Sequence, residues 1–108
     1  MAKYAVEVLA LVSALVLLHG TVTIGPTSPV CRVGTPCSKP AANVRLTFTR
    51  GTSVVHVRTD GQGRYSVKLA PGIWTAKAAV GMRTTPTRFT VLRVTTQRRD
   101  FDIDTGIR

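Results

Sequence analysis

At 108 residues the chain has room for one small domain at most. Its 15 lysines and arginines stand against 5 acidic residues, a net charge of +10 that attracts polyanions. After Glu7 the sequence holds no glutamate, which removes most carboxylate-driven chemistry from consideration.

Residues 1–3 carry one positive charge, on Lys3. Residues 5–18 are nearly all apolar, broken only by Glu7 and Ser13, and the run ends near His19 and Gly20. That order is the order of a secretory signal. The run falls short of the roughly 20 residues that a membrane span needs. The sequence therefore predicts a signal peptide over 1–20 and an exported domain over 21–108. Glu7 and the lack of an Ala-x-Ala site after the run keep two other readings open, a retained anchor helix and a buried helix of the domain itself. No cysteine follows the run directly, so a lipid-anchor motif is missing.

Export bears on Cys31 and Cys37, the two cysteines. In an oxidising compartment such a close pair is expected to form a disulfide, here within a Pro- and Gly-rich loop over residues 25–40. A structural metal needs three or four ligands. His56 is the one histidine beyond residue 20, so neither metal nor other cofactor is expected.

Beyond Gly20 no helical period appears. Short runs rich in Val, Thr, Ile and Phe alternate with turn residues, which predicts strands. They fall at 21–24, 43–50, 53–59, 65–69, 73–80, 88–95 and 99–103, with 81–86 as a loop. Val44, Leu46 and Phe48 share a face, as do Tyr65, Val67 and Leu69, and Trp74, Ala76, Ala78 and Val80. Phe101 and Ile103 point inward. Asp60 to Arg64 is a turn by composition, and Pro71-Gly72 is placed as in a type II turn. The expected fold is all-β, a seven-stranded Greek-key sandwich.

Two stretches carry a resemblance: Val57-Arg-Thr59-Asp60-Gly-Gln-Gly63-Arg-Tyr65-Ser-Val67, then Leu69-Ala-Pro71-Gly72-Ile-Trp74. They resemble the "T-D-x-x-G-x-Y … L-x-P-G-x-Y" core of carboxypeptidase regulatory-like domains, which have a transthyretin-like sandwich. Trp74 stands where that family usually has Tyr or another aromatic. The cysteine-bearing opening and the ending at Phe101 to Arg108 look like small exported bacterial members that consist of this domain alone. The resemblance implies a non-enzymatic module.

A serine or cysteine nucleophile needs a base, and only His56 offers one. Asp100, Asp102 and Asp104 alternate on the last strand, but alternate residues lie almost 7 Å apart, too far for one cation; Arg45 and Arg93 are their expected partners. Trp74 alternates inward, as core and not as a sugar platform. The isopeptide bond of the related collagen-adhesin B-type domains would need Lys39, Lys68 or Lys77 with Asn43 and an acid. Nucleic-acid recognition motifs are missing.

What remains is a non-catalytic β-sandwich module, secreted or in the cell envelope, with a structural or interaction role. Its partner would be a protein or an anionic cell-wall polymer, with a membrane involved only if 1–20 is retained. The alternative is a carbohydrate- or polyanion-binding module. Arg45, Arg58, Arg64, Lys68, Lys77 and Arg93 are the candidate polyanion contacts.

Overall fold

The computed structural model describes residues 15–26 and 37–106. Among these the fold is all-β, in two sheets with no helix. No helix of the described residues is long and apolar enough to cross a membrane. The strands are β1 (Val16–Gly25), β2 (Lys39–Pro40), β3 (Arg45–Arg50), β4 (Ser53–Arg58) and β5 (Arg64–Leu69). They continue as β6 (Gly72–Ala78), β7 (Arg83–Thr85), β8 (Arg88–Val91), β9 (Thr96–Arg98) and β10 (Phe101–Asp104).

One sheet has the order β4-β3-β6-β8, antiparallel throughout. The other is built around β1. The first half of β1 pairs with β5 and β9, and its second half pairs with β2 and β10. The pairings with β9 and β10 are parallel, and β7 closes the far side of β10.

Alternation explains the core. Leu46 and Phe48 from β3, Trp74, Ala76 and Ala78 from β6, and Phe89 and Val91 from β8 bury one face of the first sheet. Val16, Leu18 and Val22 from β1, with Tyr65, Leu69, Phe101 and Ile103, bury the facing side of the second. Phe48 is the hub, its ring centroid 5.9 Å from both Phe89 and Phe101 and 6.1 Å from Tyr65. Ala76 lies directly opposite Phe48 in the register, so a small side chain leaves room for the large one.

The expected hairpin over 43–59 forms, with Arg50 opposite Ser53 across Gly51-Thr52. Three expectations need correction. The first strand was expected at 21–24, but β1 begins at Val16, so the expected boundary at 20/21 falls inside a central strand. Val16 and Leu18 are core residues at 1% and 0% exposure. Val16 and Leu18, at the end of the apolar run, form the inward face of β1. Residues 1–14, and with them most of the expected signal or anchor, lie outside the described residues.

The second correction is in strand number. The expected loop 81–86 contains β7, and the expected strand 88–95 ends at Val91. Val80 is 44% exposed and not inside, because β6 ends at Ala78. The third is the turn at Pro71-Gly72. Gly72 has φ of +141°, wide of the +80° of an ideal type II turn, and it opens β6 directly.

Candidate functional site

The turn residues singled out in the sequence form a structural clamp. Thr59 is buried, donates its hydroxyl to the carbonyl of Ala41 and accepts the amide of Val44 at 2.9 Å. Asp60 Oδ1 accepts the amides of Gln62 and Arg64 at 2.8 and 2.9 Å. Its Oδ2 pairs with Arg64 Nε at 3.1 Å. The amide bond from Arg64, then that from Gln62, holds the Asp60 carboxyl below its usual range.

Gly63 lies at φ +77°, and a Cβ there would sit 2.5 Å from the carbonyl oxygen of Val22. Glycine lets the β4–β5 turn lean on β1, where the Val22 amide donates to the Gly63 carbonyl at 2.7 Å. Tyr65 is buried, and its hydroxyl donates to the Arg99 carbonyl. Burial, with Asp100 nearby, pushes its phenol well above the ordinary tyrosine range.

Pro71, Gly72 and Trp74 form the next reversal. The Pro71 carbonyl accepts Arg50 Nη1, and the Ala70 carbonyl accepts Trp74 Nε1, each at 2.8 Å. Trp74 is 3% exposed with its N–H satisfied, so it presents no face to a sugar ring. These seven residues shape turns and core.

The aspartates near the C-terminus are also engaged. Asp100 Oδ1 accepts the Thr21 amide at 2.9 Å and pairs with Arg98, not with Arg45 or Arg93 as expected. The Thr21 amide is the main cause of its lowered carboxyl pKa. Asp102 accepts the Thr23 hydroxyl at 3.0 Å, and Asp104 the Gly106 amide at 2.9 Å. Among the described residues no three of His, Cys, Asp and Glu gather as a metal site. His56 is exposed, with Nδ1 3.0 Å from the Thr47 hydroxyl. Cys37 is not a free thiol, and its expected partner Cys31 lies outside the described residues.

The six candidate cations do not form one patch. Arg64 and Lys68 stand exposed on β5, on the outer face of the β1 sheet, and Arg93 stands in the β8–β9 loop. Arg45, Arg58 and Lys77 are together on the outer face of the β4-β3-β6-β8 sheet. There Arg45 lies opposite Arg58, and Thr47 lies between His56 and Lys77. Arg88, opposite Thr75, completes this face, and sequence reasoning missed it. Its signal was alternation with buried Phe89, but which strand lies beside it depends on register.

Four cations thus share one sheet face with threonines and a histidine. Like charges directly opposite one another, as at Arg45 and Arg58, destabilise a bare sheet. Arg58 offsets part of this by donating Nη1 to the Asn43 carbonyl at 2.8 Å. The face ends at β4, which among the described residues pairs only with β3. The Thr59 amide donates to the Val44 carbonyl. Antiparallel alternation from that pair turns the backbone groups of Val54, His56 and Arg58 away from β3, toward the open edge. No family model matches the chain, and no curated protein shows detectable sequence similarity to it.

Proposed function

We propose that this chain is a non-catalytic β-sandwich module, secreted or in the cell envelope, that docks onto a protein or an anionic wall polymer. The observation that carries the reading is the outer face of the β4-β3-β6-β8 sheet. Among the described residues, Arg45, Arg58, Lys77 and Arg88 stand on it without a carboxylate, and the unpaired edge of β4 borders it. An open strand edge can take an extended segment as a further strand, with main-chain hydrogen bonds supplying affinity. The cations select acidic partners. The compartment rests on the signal-like order of residues 1–20, with a Cys31–Cys37 disulfide as its companion. The turn motifs resembling carboxypeptidase regulatory-like domains support a module of this kind. A polyanion-binding role is the second reading, favoured by the same four cations; Trp74, being core, lends it no sugar platform.

The test is binding of the full chain to anionic wall polymer and to extracted envelope proteins, at low and high salt. Polyanion binding falls steeply with salt and with Arg58→Gln/Lys77→Gln. Strand addition withstands salt and is abolished by His56→Pro, which removes an outward amide without touching the β3–β4 ladder. Binding that responds to none of these changes rules the face out.

A further inference from the structure

Among the described residues, five of the seven exposed large apolar side chains gather at the end of the molecule where β1 begins: Leu15, Val54, Ile73, Leu92 and Val94. The registers place them there. Val16 lies opposite Leu69, Gly72 opposite Val91, and Arg50 opposite Ser53, and the Leu17 amide donates to the Thr95 carbonyl at 3.1 Å. Val80 and Met82 are at the other end, where the Met82 amide donates to the Asp104 carbonyl.

The turns that present these side chains are held in shape. Arg50 and Trp74 bind the carbonyls of Pro71 and Ala70 beneath Ile73. Gln97 accepts the Leu92 amide at 2.7 Å and donates to the Thr90 carbonyl at 2.9 Å, which fixes the loop bearing Leu92, Arg93 and Val94.

Among the described residues, charge at this end has one sign. Arg50 and Lys68 line a cleft with Leu15, and Arg93 lies between Leu92 and Val94. The described carboxylates are far off. Asp100 binds Thr21, five residues along β1 from Val16, or roughly 16 Å at 3.3 Å per residue. Asp102 and Asp104 lie further, beside Thr23 and Gly25. At physiological salt a charge is screened within about 8 Å, so the cations here act unopposed.

Apolar side chains on separate turns, rimmed by cations, suit the boundary between lipid headgroups and acyl chains. We propose that this end docks on an anionic bilayer surface, with Leu15, Ile73, Leu92 and Val94 in the headgroup boundary and Arg50, Lys68 and Arg93 on lipid phosphates. The proposal rests on the envelope reading for its compartment alone; Ile73 shares the outer sheet face with Lys77 and Arg88, whereas Leu15, Leu92 and Val94 lie off it.

The test uses the full chain with nanodiscs of phosphatidylcholine, alone or mixed with phosphatidylglycerol. The expected result is stronger binding to the mixture, and a loss of about tenfold or more in that preference for Lys68→Gln/Arg93→Gln. Both residues are exposed, so the fold survives. A nitroxide on the lipid headgroup should broaden the amide signals of Ile73, Leu92 and Val94 and spare those of Val80 and Met82. Partitioning without that broadening, or with equal broadening at both ends, overturns the proposal and leaves the envelope reading standing. So does a phosphatidylglycerol preference that the double variant does not reduce. If the broadening appears but the sheet face binds neither envelope protein nor wall polymer, the failure belongs to the docking module alone.

Discussion

The hydroxyl of Tyr65 reaches over β1 to donate to the backbone carbonyl of Arg99. The residue it passes is Gly20, which pairs with Tyr65 in the register. The Arg99 amide returns a bond to the His19 carbonyl at 2.9 Å. Tyr65→Phe keeps the ring in its aromatic cluster but leaves a buried carbonyl without its donor. The expected cost is about 1–2 kcal/mol in urea unfolding.

The same bond predicts alkaline sensitivity. The Tyr65 phenol is raised above its unfolded value of 10.0, chiefly by burial. Its contribution is therefore complete below pH 10 and is lost as pH rises beyond that, because the phenolate cannot donate. Unfolding followed above pH 10 should show the wild-type chain losing stability faster than Tyr65→Phe.

Gly20→Ala should be more damaging than Tyr65→Phe. A Cβ at residue 20 would sit 2.2 Å from the Arg99 carbonyl oxygen and 2.8 Å from Asp100 Oδ1. Both neighbours are fixed, one by Tyr65 and the other by Thr21, so β1 must move away from them. Overpacking of this kind costs on the order of 1–3 kcal/mol, added to the lost Tyr65 bond. Thermal unfolding of the two variants side by side checks the order.

Asp60 predicts a loss at acid pH. Its carboxyl is held below 3.8 by the amides of Arg64 and Gln62. The stability it contributes is present above pH 3.8 and disappears as pH falls through the lower folded value. Asp60→Asn keeps an acceptor for those amides and should flatten this part of the acid profile. Asp60→Ala removes the acceptor and should lower the Tm at neutral pH as well.

A chain starting at Thr21 should fail to fold, whereas one starting at Leu15 should fold. The shorter chain loses Val16 and Leu18 and every pairing of β9 with β1. Truncating either side chain to Ala already costs about 2–5 kcal/mol. If the protein is processed, its new N-terminus must then fall at or before Val16. Intact mass of the mature protein reads this directly, and reads whether Cys31 and Cys37 have lost their thiol hydrogens.

The residues differ in how openly their sequence declares them. Leu46 and Phe48, Tyr65 and Leu69, and Trp74 and Ala76 alternate with polar neighbours, so their faces were legible. Val16 and Leu18 were not, because their neighbours Leu15 and Leu17 are apolar too. Such a run reads the same as a signal segment or as a strand covered by others. β7 hides in a stretch of Gly, Pro and Thr, since pairing with β10 alone makes Arg83–Thr85 a strand. The basic face needed register: nothing in the sequence says that Arg45 stands opposite Arg58.

β1 is made long before its partner β10, with Val22 beside Phe101. Until residues 101–104 emerge, β7 has no strand to join it to β1, and Val22 and Ile24 have no parallel neighbour. Closure across almost the whole chain is slow, because the loop entropy must be met before any contact rewards it. Until β10 is made the chain therefore stays open, which is the form that can still be threaded through a narrow pore.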